Sequence, residues 1–216
     1  MRRAAAVVVP LLIVFALIVW RGRGPALKPA DAPAREFSST RAAAVLRDLL
    51  AEEVPHPVGT AANARLRDRI AARFTALGYE TTIQRRFACN ARPVCAMVEN
   101  VIARAPGGRR ADAVVLMAHY DSVGAGPGAA DDGMGVAALL EIARATRGER
   151  YRNPLLFLIT DGEEAGLLGA EAFLADETLA REVGVVVNVE ARGTRGLSNM
   201  FETSRRNRWL IHHLSR

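Results

Sequence analysis

Three almost uninterrupted apolar runs, AVVLMA (113–118), LLFLIT (155–160) and VVVNV (185–189), limit what this chain can fold into. A strand with no polar side to turn to solvent belongs inside a sheet that has helices packed on each face. Helical patterns lie between these runs. Met134 to Arg147 places Val136, Leu139, Leu140 and Ala143 on one side and stops before Gly148, and a shorter helix is expected over about 167–174. Two further strands are expected over Glu80–Arg85 and Met97–Ala103. Ahead of them, Ser38, Ser39 and Thr40 offer caps for a helix over about 41–53, which Pro55 to Thr60 break. A second helix over 61–77 aligns Leu66, Ile70, Phe74 and Leu77 and stops at Gly78. The expected fold is α/β, a mixed and largely parallel sheet with helices on both faces, and no internal repeat is visible.

The ends differ in character from this middle. Residues 4–20, AAAVVVPLLIVFALIVW, carry no charge and are flanked by Arg2, Arg3, Arg21 and Arg23. As a helix they reach roughly 26 Å at about 1.5 Å per residue, a marginal fit to roughly 30 Å of hydrocarbon. A membrane anchor over 1–23, rather than a cleaved signal peptide, is expected, with Trp20 at the interface. Arginines at both ends leave the positive-inside rule silent, and the catalytic domain is expected outside the cytoplasm. Residues 24–37, rich in Pro and Ala, read as a linker, and 38–216 as one domain. The net charge of +6 does not indicate nucleic acid. Lys28 is the only lysine, and the arginine pairs at 85–86, 109–110 and 205–206 have no aromatics among them. Cys89 and Cys95 suit a local disulfide if the domain is exported, and otherwise two free thiols.

Chemistry-bearing residues follow the apolar runs. His119 and Asp121 come after the first, Asp161, Glu163 and Glu164 after the second, and Glu190 after the third. Asp131 and Asp132 stand just ahead of the helix at Met134. Ligands of open α/β sheets bind beyond the carboxyl ends of the strands, so parallel neighbours would bring these side chains to one place. Taken singly, each has a structural reading: a satisfied histidine, a capped helix, an exposed acidic turn. Taken together, so many carboxylates repel one another unless a cation neutralises them. One imidazole among carboxylates suits zinc, which polarises a carbonyl and acidifies water, as amide hydrolysis requires.

The motifs Pro55-His56-Pro57-Val58-Gly59-Thr60, Glu99-Asn100-Val101-Ile102-Ala103 and His119-x-Asp121 resemble those of peptidase family M28. So do Gly128-Ala129-Ala130-Asp131-Asp132-Gly133-x-Gly135, Asp161-Gly162-Glu163-Glu164-x-Gly166-x-x-Gly169 and Asn188-Val189-Glu190-Ala191-Arg192-Gly193. The resemblance covers roughly residues 54–204 and implies a zinc-exopeptidase-like fold with two zinc ions. It implies that His119 and Glu190 bind one ion, Glu164 the other, and that Asp131 rather than Asp132 bridges them. Asp121 would orient the imidazole and Glu163 would act as general base. The family also takes a further metal-binding histidine from well beyond Glu190. Neither His212 nor His213 is expected to supply it, His56 is expected to be structural, and the domain is expected to be incomplete at its C-terminus. The expected activity is hydrolysis at peptide termini, most simply the amino end. The alternatives are a glutaminyl-cyclase-like acyltransferase with one zinc and an inactive receptor-like module.

Overall fold

The computed structural model describes residues 2–22, 24, 26–106, 112–191 and 200–214. Arg23, Arg109, Arg110, Arg192 and Gly193, named above, lie outside the described residues. Two compact units result, Leu27–Ala191 and a second formed by Met1–Ala26 with Arg192–Arg216. The second contains α1 (Arg2–Arg21) and α7 (Arg208–Leu214). The apolar run is helical as expected, but among the described residues no helix is long and apolar enough to cross a membrane. The expected membrane-spanning helix is not found among the described residues.

The larger unit holds α2 (Ser39–Leu49), α3 (Ala61–Ala76), β1 (Glu80–Cys89), β2 (Cys95–Arg104) and β3 (Ala113–His119). It continues through α4 (Met134–Thr146), β4 (Leu155–Thr160), α5 (Leu168–Leu174), α6 (Glu177–Ala180) and β5 (Val183–Asn188). The strands form one sheet in the order β1-β2-β4-β3-β5. β4, β3 and β5 run parallel, whereas β1–β2 and β2–β4 pair antiparallel. The mixed, largely parallel sheet expected from the apolar runs is present. β5 is only half-buried despite its apolar sequence, because it lies at an edge of the sheet, paired with β3 alone among the described residues.

Successive residues of β4 point to opposite faces. Phe157 and Ile159 join Leu66, Ile70 and Phe74 of α3 and Leu139 and Ala143 of α4 in one core. Leu156 and Leu158 meet Val115 and Phe173 of α5 in the other. That double burial is what an uninterrupted apolar strand requires. Ser38 and Thr60 cap α2 and α3 by accepting from the Arg41 and Asn63 amides. α2 ends at Leu49, a turn short of the expected boundary. Cys89 and Cys95 are paired in register and form a disulfide that closes the β1–β2 hairpin.

The stretch expected as a linker is docked from Lys28 onward. Arg41 donates to the carbonyls of Ala30, Ala32 and Glu36, and Arg144 to those of Ala34 and Glu36. Both guanidinium groups are held by the buried carboxylate of Glu141, which also accepts from the Ser38 amide. The sequence reading missed this, because the proline-rich segment is held largely through its backbone carbonyls by arginines distant in sequence. Replacing Glu141 with Ala leaves two arginines without their buried partner. A loss of about 3 kcal/mol is expected in denaturant unfolding, with proteolytic cleavage opening between residues 28 and 38.

Candidate metal centre

The parallel register of β4, β3 and β5 aligns their carboxyl ends: His119 is paired with Thr160, and Met117 with Asn188. His119 ends β3 with its side chain buried. Its Nδ1 lies 3.1 Å from the main-chain oxygen of Asp121, an acceptor only, so the ring proton resides there. Nε2 then points its lone pair at the Asp131 carboxylate, 3.0 Å away. The Glu190 carboxylate is 3.7 Å from the same nitrogen and that of Glu163 4.0 Å. Two acceptors facing each other at that distance require a proton or a cation between them.

The electrostatics agree. Burial disfavours charge on His119, but the hydrogen bond and charge of Asp121, with Asp132 and Glu163 beyond, outweigh it and push the pKa up to about 10. Burial first, then the charges of Glu190, Asp121 and Glu164, raises Glu163 above the usual carboxylate range, while His119 opposes the rise. Glu164, although exposed, is raised first by partial desolvation and then by the charge of Asp131. A proton on His119 thus does what a metal would do. Donor atoms of His119, Asp131 and Glu190 lie within 4.8 Å of one another, and one nitrogen with carboxylate oxygens matches the preference of zinc. The residues fit the ion.

Of the residues named from the sequence, His119, Asp131 and Glu190 come together as one group and Glu163 stands beside it. The Glu164 side chain is exposed and is not one of the three. Asp121 differs in detail from expectation. Its carboxylate is 3.5 Å from His119 Nδ1, and its two oxygens accept instead from the main-chain amides of Glu163 and Glu164, at 2.9 and 3.1 Å. One acid therefore sets both the histidine and the acidic loop. Asp132, joined to Asp131 by a cis peptide bond, is buried and accepts from the amides of His119 and Gly135. Burial first, with Glu190 adding and His119 opposing, pushes its carboxyl up to about 8. Gly128 turns the chain into this segment at φ 62°, where a Cβ would come within 2.6 Å of the Asp131 carbonyl. His56 is buried, with Nδ1 on the Val54 carbonyl and its amide donating to Ser122 Oγ, a structural position. The grip of Asp132 on the first turn of the helix matches the capping reading of the sequence, whereas its hold on the His119 amide and that of Asp121 on the acidic loop left no mark in residue type.

Known proteins resemble the chain in sequence and in fold. The family model described as Peptidase family M28 matches residues 100–216, more than half of the chain. A vacuolar membrane protease of Eremothecium gossypii is 30% identical over 218 residues, covering 91% of this chain and 21% of that protein. The chain spans about a fifth or less of the length of the curated relatives it matches. In fold it is similar to a leucine aminopeptidase precursor of Bacteroides thetaiotaomicron, with TM-score 0.63 and 18% identity over 74% of this chain and 64% of that one. It is similar also to a glutaminyl cyclase of the same organism, with TM-score 0.62 and 18% identity over 73% and 63% of the two chains.

Zinc must displace the proton that His119 holds, so affinity is expected to strengthen as pH rises from 6 to 8, about tenfold per unit for each proton released. Calorimetry in buffers of different protonation enthalpy measures that release. Affinity independent of pH would contradict the assignment of His119.

Proposed function

Because the chain belongs to peptidase family M28, we propose that it is the catalytic part of a zinc-dependent exopeptidase acting on peptide termini, the amino end first. The observation that carries this reading is the meeting of His119, Asp131 and Glu190 with Glu163 alongside. Zinc bound there would supply the Lewis acidity that polarises a carbonyl and acidifies water. Asp131 is the candidate to be shared between two ions, with Glu164 as a ligand of the second. Glu163 is the candidate general base, taking a proton from the attacking water and passing it to the departing amine. Its pKa, raised by burial and by the neighbouring acids, makes it a stronger base than a free glutamate. Asp121 keeps Glu163 and the imidazole in fixed relation through the bonds already described.

Attachment to a membrane is proposed on the exposed apolar side chains of α1, among them Leu11, Phe15, Ile18 and Trp20, and on the similarity to vacuolar membrane proteases. The Cys89–Cys95 disulfide favours a catalytic unit that faces an oxidising compartment.

A second reading, a glutaminyl-cyclase-like acyltransferase, is favoured by the grouping of just three ligands among the described residues, enough for one ion. Zinc stoichiometry and cyclisation of a peptide with N-terminal Gln separate the two. In the full-length protein, Glu163→Gln is expected to lower kcat on aminoacyl anilides by roughly a thousandfold and to leave zinc content unchanged. Undiminished turnover would remove Glu163 from the chemistry. A folded wild-type protein that binds no zinc would point to a receptor-like module.

A further inference from the structure

Asp161, Asn100 and Asn63 are buried polar residues that hydrogen-bond to one another and to the main chain around the acidic loop that follows β4. From this arrangement we infer that Asn100 and Asp161 are positioning residues that fix the loop bearing Glu163 and Glu164, an inference that rests on the peptidase reading for its catalytic consequence.

The loop leaves β4 at Asp161 and rejoins regular structure at α5. A single carboxamide spans its two ends. Asn100 Oδ1 accepts from the Asp161 amide at 3.0 Å, and Asn100 Nδ2 donates to the Gly169 carbonyl at 2.8 Å. Gly169 is pressed so closely against this clamp that a Cβ there would run into the Asn100 carboxamide and the Asp161 backbone. The carboxylate of Asp161 ties the same corner to two other elements. Oδ1 accepts from Asn63 Nδ2 of α3 and Oδ2 from the Glu99 amide of β2, each at 3.0 Å. Asn63 also donates to the His56 carbonyl at 3.3 Å, which links the Pro-His-Pro turn to the loop.

A buried acid held by neutral amides is a costly way to fill space. Burial, opposed mainly by the Asn63 and Glu99 hydrogen bonds, pushes the Asp161 carboxyl up to about 6. What a carboxylate provides, and a carboxamide does not, is acceptance on both oxygens at once. Asp161→Asn would turn one of those oxygens into an NH2 group facing either Asn63 Nδ2 or the Glu99 amide. With Asp121 holding the Glu163 and Glu164 amides, the loop is then fixed at its start, middle and end. Displacing a catalytic group by about 1 Å costs on the order of a hundredfold in rate.

The test compares Asn100→Ala and Asp161→Asn with Tyr79→Phe in the full-length protein. Tyr79 makes a buried hydrogen bond to the Ala143 carbonyl, away from the loop, and serves as a control for a lost hydrogen bond. The first two variants are expected to lower kcat about ten- to hundredfold with KM within twofold, and to weaken zinc binding about tenfold through Glu164. Tyr79→Phe leaves both unchanged. In the metal-free protein, amide exchange should quicken at residues 161–169 in the two loop variants while α4 stays protected. Should Asn100→Ala fail to fold, Asp161→Asn supplies the same readouts.

Unchanged kcat, zinc affinity and loop exchange in the folded variants would overturn the inference, and so would equal losses in Tyr79→Phe. If the wild-type protein hydrolyses no peptide, the peptidase reading falls by itself, and amide exchange and zinc affinity still decide whether Asn100 and Asp161 hold the loop.

Discussion

The approach of the Asp131 carboxylate to Nε2 of His119 is the contact on which the rest of the site depends. A nitrogen lone pair and a carboxylate oxygen do not remain 3.0 Å apart without something positive between them. The surrounding acids, Glu163 and Glu190 within 4 Å of that nitrogen, deepen the requirement. The same repulsion makes the bare arrangement costly and is what a divalent ion bound there would relieve. Holding these charges together is the task of the scaffold, and the parallel pairing of β3 with both β4 and β5 is how it is done.

The backbone around the site is arranged so that each acid serves a neighbour as well as itself. Asp121 grips the amides of the two glutamates, and Asp132 grips the amide of His119 and the first turn of α4. Asp161 joins the β4 end to α3 and β2. Catalysis by positioned groups needs such fixed frames, because reorganisation during reaction is where barriers rise. The chain uses carboxylates for both purposes, and burial is the first cause of the upward pull on the pKa values of Asp132, Asp161 and Glu163.

How much of this was legible in the sequence depended on whether the signal resided in side-chain type. The apolar runs announced β3, β4 and β5 to within two residues, and the acids behind them announced the site. Helix α4 followed from Val136, Leu139, Leu140 and Ala143. The docking of residues 28–38, within the stretch expected as a linker, left no signal in the sequence, because it is held largely by its carbonyls and by arginines distant in sequence. The half-exposed β5 was expected to be buried, because apolar composition reports an average environment and not a place in the sheet. Glu164, expected at a second ion, stands outside the three residues grouped around His119.

The alternation along β4 has one more consequence. Leu156 and Leu158 fill one interior and Phe157 and Ile159 the other, so a slip of a single residue would exchange the two sets. The same slip would carry Thr160 and everything after it about 3.3 Å along the sheet. The greasy side chains therefore act as a ruler for the polar ones. In a strand like this, choosing how to fill the interior and choosing where the acids stand are a single choice.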